Sequence, residues 1–503
     1  PITELVFAEG TEGGLYASFD VGIYYKNENT LDWQPYFEAL PNVLIKDIDI
    51  NYCAGKIRAG TFGRGLWESD LAEKPHLARV IDADAQWQNH VNLGSDVQVT
   101  SGATLTISAT VNFAPHTRLI IDPGAQVIVL NGGKLTNLCG EQWDGVEVRG
   151  DADLSQVPLT NQGYLELRAG ATIEHAEIAV RLFASDDNDI ADLNTTGGVV
   201  KLLGDVSSPV KISDCKRGIW AKPYAFFNRS LVTYAVFENT TEGSGDYIRL
   251  DGIRNVEIRN SMFDYSGQFI PWETMRPTGI RAYNSRFLAV NNTLQHLSQA
   301  IRASSTNGLS PCYLRHNTVT GNERSIFLGN INFAELTENV FNVPEGASSL
   351  QVPYGLYLSG STGFEVEENS FAGIGHPANN VGLVIRDSDD GPTEFYRNSF
   401  DRLAVGSLLQ GDNRLEGSLD AGLQTRCNTY GETSACTYDV ALTEAGEVAE
   451  NQGTSVSPAG NRFYPECPGV DETDIYVDVD PAPATGFNYH HHSDDFTEPL
   501  CTT

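Results

Sequence analysis

Gly355-Leu356-Tyr357, then Phe364-Glu365-Val366-Glu367, then Asn369-Ser370-Phe371 is the stretch that decides the fold, because its first and last phrases return in Gly382-Leu383-Val384 and Asn398-Ser399-Phe400. The Asn phrase also occurs as Asn260-Ser261-Met262-Phe263, Asn292-Thr293-Leu294, Asn317-Thr318-Val319, Asn339-Val340-Phe341 and Asn428-Thr429-Tyr430. From one Asn to the next the steps are 32, 25, 22, 30, 29 and 30 residues. Self-similarity at a period of roughly 20–50 residues is the mark of a solenoid. The Gly phrase recurs between the Asn phrases as Gly279-Ile280-Arg281, Ala300-Ile301-Arg302, Ser325-Ile326-Phe327 and Gly406-Ser407-Leu408. The segments alternate apolar and polar residues, and no helical spacing joins them, so they read as short strands.

Several strands per repeat, turned by Gly and Asn, imply a coil of parallel strands with one repeat per turn. An Asn tolerates the left-handed turn conformation, and its amide can bond its own turn. Stacked amides can also bond each other along the axis. The expectation is that Asn260, Asn292, Asn317, Asn339, Asn369, Asn398 and Asn428 line one corner, with the following apolar residue pointing inward. The alternative is an all-β sandwich with coincidental Asn pairs; seven instances of one local pattern weigh against it.

On these phrases, residues 80 to 500 resemble the right-handed parallel β-helix proteins of the pectate-lyase-like class, and among them the β-helix modules of large secreted Bacteroidota proteins. Trp143-Asp144-Gly145-Val146-Glu147-Val148 matches a Trp-x-Gly-Ile/Val phrase of those modules. The resemblance implies an all-β, right-handed parallel β-helix and export through the Bacteroidota outer-membrane (type IX) secretion route. Trp143 reads as a plug of the core rather than a sugar platform.

Residues 1–72 have a different texture. Leu15–Ser18, Gly22–Tyr25, Ile45–Ile50, Lys56–Thr61 and Gly65–Glu68 read as about four strands of one blade-sized unit. Asp20-Val21-Gly22-Ile23 and Gly60-Thr61-Phe62-Gly63-Arg64-Gly65-Leu66-Trp67-Glu68 resemble the last blade of a sialidase- or sortilin-type β-propeller. One blade cannot close a ring, so it implies further blades upstream or a docking partner. The expected organisation is a blade-like unit at 1–72, a linker at 73–79, the β-helix at 80–436 and a C-terminal cap at 437–503. A solenoid end must be capped, because open strand edges invite aggregation.

The chain has 503 residues and a formal net charge of −33. That charge argues against nucleic acid and anionic membranes as partners. No run of 18 apolar residues, signal peptide or lipidation motif occurs. The chain begins at Pro1 and holds two Met, so the expectation is a mature or excised segment of a longer extracellular protein. Of eight Cys, none forms a CxxC pair, which argues against zinc. Late clustering predicts disulfides Cys427–Cys436 and Cys467–Cys501 on the cap, in an oxidising compartment. Cys139, Cys215 and Cys312 read as buried free thiols, and the state of Cys53 is open.

Candidate chemistry is sparse. Asp387, Asp389, Asp390 and Glu394 are the best local carboxylates for a β-helix lyase or hydrolase. The phrases of the polygalacturonase relatives (Asn-Thr-Asp, Gly-His-Gly, Arg-Ile-Lys) are absent, and Asp389-Asp390-Gly391 reads more simply as a turn. Asp187, Asp189 and Asp192 could hold calcium but lack the spacing of a calcium loop. His490 to His492 alternate in direction if extended and do not converge on a metal. No cofactor is expected, calcium being the one candidate. Two functions stand: a non-catalytic structural or adhesive module of a cell-surface protein or appendage, and a polysaccharide-active β-helix enzyme. The expected partners are other domains of the parent chain, further copies in a surface assembly, or polysaccharide.

Overall fold

A computed structural model of the protein describes residues 1–503 apart from 187, 189, 244, 269–272, 347–350, 376–378, 389–392, 416–420, 465–471, 479–485, 494–496 and 502–503. Among the described residues the regular elements are β-strands and two 3-10 turns. They form two compact units, residues 1–201 with 210–215, and residues 202–209 with 216–503. The expected division at 73–79 therefore falls inside the first unit.

The first unit opens with seven antiparallel strands rather than the expected four. Ile2–Phe7, Leu15–Phe19, Ile23–Lys26 and Gln34–Pro35 make one meander, and Ile45–Asn51, Lys56–Thr61 and Gly65–Asp70 make another. Neither meander can bury a face alone, so both pack on one core that includes Tyr16, Ile23, Ile45, Ile48 and Ile57. Residue 73 does not start a free linker: the Glu73 carboxylate accepts from the Glu12 amide at 2.9 Å and the Tyr25 hydroxyl at 3.0 Å. From Arg79–Ile81 onward the pairing becomes parallel, with Val97, Leu119 and Val146 in register on successive rungs. Cys53 and Cys139 form a disulfide with Cα atoms 5.5 Å apart, which corrects the free-thiol expectation for Cys139. Trp143 is fully buried and stacks on Phe113 at 4.2 Å, as a core plug should.

The second unit shows what the repeat builds. Each turn crosses three sheets: Tyr354–Ser359 in the first, Glu365–Glu367 in the second and Ser370–Gly373 in the third. The chain then returns to the first sheet one rung on, at Val381–Arg386, parallel to Tyr354–Ser359. This is a parallel β-helix. Its pairing runs past residue 436: Tyr438–Glu447 lies parallel on Val405–Asp412, and Thr473–Val477 parallel on Tyr438–Glu447.

Asn occupies the corner between the second and third sheets, and its bonding repeats rung by rung. The side-chain nitrogen of Asn317 donates to the Asn339 oxygen at 2.9 Å, and that of Asn339 to Asn369 at 2.9 Å. The same bond continues from Asn369 to Asn398 at 3.0 Å and from Asn398 to Asn428 at 3.1 Å. Each oxygen also accepts the backbone N–H of the preceding Asn, and each nitrogen also donates to a second-sheet carbonyl, as Asn339 does to Leu314 at 2.8 Å. Every donor and acceptor of these buried amides is thereby used.

Two details differ from the sequence reading. The left-handed residue is the one before the corner Asn: Asn291, His316, Glu338, Glu368, Arg397 and Cys427 have φ between 53° and 55°. Asn260 is such a residue (φ 50°), and the corner place on its rung belongs to Ser261, whose N–H donates to the Asn292 oxygen at 3.0 Å. Six of the seven expected Asn line the corner, and Asn260 stands one position out. A left-handed non-Gly residue costs about 1–2 kcal/mol, which the fully bonded corner offsets.

Inside the corner, Phe341, Phe371, Phe400 and Tyr430 stack with centroids 4.6, 5.0 and 4.9 Å apart. The small first residue of the Gly phrase makes room for them. A Cβ on Gly355 would lie 2.7 Å from the Phe371 ring and 2.7 Å from the Gly382 carbonyl oxygen.

The structure also corrects one of the two expected cap disulfides. Cys427 and Cys436 are free thiols. Cys427 is spent as the left-handed residue before Asn428, and Cys436 is buried. Cys501 is disulfide-bonded; its expected partner Cys467 lies outside the described residues. Cys215 and Cys312 are buried thiols as expected, and burial pushes each up to about 12.

Candidate groove on the first sheet of the second unit

The third residue of each Gly phrase falls in one row. Arg249, Arg281, Arg302, Phe327, Tyr357, Val384 and Leu408 are paired in register along the first sheet. Side chains alternate across a strand, so this row faces away from the fully buried core row of Ile280, Ile301 and Ile326. Beside it stand Gln299, Arg324 and Tyr354 on one flank and Gln410 on the other, and with the part of the row from Arg302 to Leu408 they line a groove of about 520 Å³.

The groove combines rings with two cations, Arg302 and Arg324. Phe327 and Tyr357 lie 5.5 Å apart on adjacent rungs, and Tyr354 meets Tyr357 edge-on at 5.4 Å. The Arg302 guanidinium sits over Phe327 at 5.5 Å. Upstream, Arg281 is matched by Asp246 at 2.7 Å and Arg249 by Asp251 at 3.1 Å. Arg302 is exposed, and no ion pair to it occurs among the described residues. Arg386 bonds the Tyr357 phenol and faces Glu444, and these partners hold its guanidinium above the usual range. Burial raises the Tyr354 phenol as well. No Asp or Glu lines the groove among the described residues. The described lining offers stacking faces and hydrogen-bond donors.

The sequence candidates fall elsewhere. Asp387 directly follows the first-sheet strand Val381–Arg386 and accepts the Asp412 N–H at 3.1 Å, whereas Glu394 is on the second sheet, 3.6 Å from Arg426. Asp389 and Asp390 lie outside the described residues, as do Asp187 and Asp189. Asp192 accepts the Asn194 N–H at the start of a 3-10 turn. His491 bonds the His492 carbonyl rather than converging with its neighbours. No group of three or more His, Cys, Asp or Glu that could hold a metal ion occurs among the described residues. The groove residues Phe327, Tyr357 and Arg302 carried no site prediction. The signal that could have found them is that the Gly phrases put large or charged residues at a single outward position.

A second cleft of about 470 Å³, in the antiparallel part of the first unit, is lined by Tyr36, Phe37 and Trp67. Of its three lining carboxylates, Glu38, Glu68 and Asp70, the last two are paired to Arg58 and Lys56.

Residues 227–416 match the family described as "Periplasmic copper-binding protein (NosD)", a span of less than half the chain. No curated protein sequence matches the chain. Among solved structures, the chain is similar to the A-module of the Azotobacter vinelandii mannuronan C-5 epimerase AlgE6, at 8% identity over 75% of this chain and 90% of that one, with a TM-score of 0.37. The A-module of AlgE4 from the same organism matches at 11% identity over 77% and 87%, with a TM-score of 0.30. A tailspike protein of E. coli bacteriophage HK620, in complex with a pentasaccharide, matches at 11% over 80% and 71%, with a TM-score of 0.35. The fold assignment rests on the strand pairing of the chain itself. No helix among the described residues is long and apolar enough to cross a membrane.

Proposed function

We propose that this protein is a non-catalytic module of a larger cell-surface or secreted protein, a stiff β-helix that presents the Phe327–Tyr357–Arg302 groove to a polysaccharide chain. The observation that carries this reading is the make-up of the groove: aromatic faces, two exposed arginines and two amides, with no lining carboxylate among the described residues. Aromatic rings offer flat faces to sugar rings, and Arg and Gln side chains offer fixed donors to hydroxyl or carboxylate oxygens. The Cys53–Cys139 disulfide fits an oxidising compartment, which supports a place outside the cytosol. Export by the Bacteroidota route and lateral assembly with further copies belong to the same reading and rest on the sequence resemblance.

Copper, which the matched family's description names, finds no gathered set of His, Cys, Asp or Glu ligands among the described residues. Within residues 227–416, His296 pairs with Asp264, His316 pairs with Glu338, and the Cys312 thiol is buried. Copper ions bind best to gathered imidazole, thiolate or thioether ligands.

The test is affinity electrophoresis of the whole chain through acidic and neutral polysaccharides, with the polymer recovered and sized. The expected result is retarded migration on at least one polymer, no shortening of it, and loss of retardation in the double variant Arg302→Ala/Tyr357→Ala. Polymer cleavage that disappears in Asp389→Asn or Asp390→Asn would overturn the reading in favour of the enzyme.

A further inference from the structure

At the C-terminal end of the second unit, Asp439 and Asp474 occupy equivalent positions on adjacent rungs, since Tyr438 pairs with Thr473 and Val440 with Ile475. Neighbouring strands lie about 4.8 Å apart, so the two carboxyls share one small region. Asp439 is 3% exposed and Asp474 5%. One oxygen of Asp439 and one of Glu472 are buried without a hydrogen-bond partner. Asp474 holds the tail: its N–H donates to the Cys501 carbonyl at 2.7 Å, and its carboxylate accepts the Cys501 N–H at 3.0 Å.

We infer that this carboxyl cluster is a proton-operated latch: with the proton on Asp439 the last rung and the tail stay docked, and with the proton gone they loosen. The groups that face Asp439 explain why. Asp474 and Glu472 come from the last rung, and the Cys436 thiol, which bonds the Asp439 carboxyl, comes from the residues just before its own strand. From the preceding coil, Tyr430 reaches the rung through Ser407, whose hydroxyl donates to the Asp439 carbonyl at 3.2 Å. Asp401, also from that coil, acts on Cys436. None of these groups is a cation, so an ionised Asp439 would be a buried negative charge beside other carboxylates. Burial above all, then Asp474, pushes the Asp439 carboxyl well above the usual range, and burial raises Asp474 and Glu472 too.

The direction of the latch follows. The native chain keeps a proton that the unfolded carboxyl, with its ordinary pKa of about 3.9, has already lost. The docked rung is therefore tightest at acidic pH and loosens as pH rises through the raised native value. Asn in place of Asp439 is neutral at every pH and should hold the latch shut.

The test is amide hydrogen exchange on the whole chain with disulfides intact, in EGTA, at pH 5 and pH 8.5, corrected for intrinsic chemical exchange. Peptides covering 438–447 and 473–477 are compared with the mid-helix peptide 318–331. Protection at 473–477 should fall at least tenfold from pH 5 to pH 8.5 in the wild type, fall by clearly less in Asp439→Asn, where only Asp474 and Glu472 still titrate, and stay constant at 318–331 in both. Equal wild-type protection at the two pH values would overturn the latch, even if the variant failed to fold. So would an Asp439→Asn protein that keeps the tenfold fall.

Discussion

The Asn corner and the carboxyl cluster at 439–474 are both buried, polar and repeated from rung to rung, yet only one of them satisfies itself. A neutral amide carries two donors and two acceptor sites, so a stack of Asn can be extended one rung at a time with nothing left over. A carboxylate only accepts, so stacking two of them on adjacent rungs leaves unmatched charge and, here, an unpartnered Asp439 oxygen. A solenoid can therefore repeat Asn indefinitely at an interior corner, while a repeated Asp is confined to an end that can open.

Truncating the middle of the ladder should cost most. Asn339→Ala removes the acceptor of the Asn317 N–H and of its side-chain amide, and the donor to the Leu314 carbonyl. At about 1–3 kcal/mol for each buried group left unpaired, the loss should be on the order of 5 kcal/mol in denaturant unfolding. Next comes the stack beneath it: Phe371→Ala opens a cavity between Phe341 and Phe400 and should cost roughly 3–5 kcal/mol. Asp439→Asn should act in the opposite direction and stabilise the chain at pH 8, by about 1 kcal/mol or more if the unpartnered group sets the scale. Asn260→Ala should cost only about 1 kcal/mol, since Asn260 supplies a left-handed turn residue and no ladder bond. A cost equal to that of Asn339→Ala would break the distinction between the corner and the residue before it.

The repeat was legible because its turn chemistry and inward aromatic recur together, and that pair of signals placed Asn292 to Asn428 correctly. Asn260 was misplaced by one residue. Its aromatic, Phe263, stands three positions after the Asn instead of two, and that spacing marks Ser261 as the corner residue. The ladder's last member, Asn461, takes the Asn428 bond at 3.1 Å and was missed. Its phrase Asn461-Arg462-Phe463 keeps the spacing but falls past the point where the period was expected to fade. The first cleavage of the chain into elements was less readable. The Ile2–Phe7 strand alternates imperfectly, and two small meanders share one core, so a single blade was the simpler reading. Cys53 and Cys139 are 86 residues apart, and their pairing depends on Cα atoms meeting within about 7 Å, which only the fold determines. Of the groove, every row residue from Arg281 to Leu408 stood in a quoted phrase, but whether a row is a site depends on its flanks, and Gln299, Arg324, Tyr354 and Gln410 stand in the same strands outside the quoted phrases.

The account's central claim, that an amide and not a carboxylate is what this corner can bury, is tested most directly by the pH profile of thermal stability for Asn339→Asp. A carboxyl at that position would be fully desolvated, so its native pKa would be raised and stability would fall as pH rises. The prediction is a variant close to wild type near pH 4 that loses stability up to pH 8 more steeply than the wild type does. An Asn339→Asp protein as stable as wild type at pH 8 would contradict it.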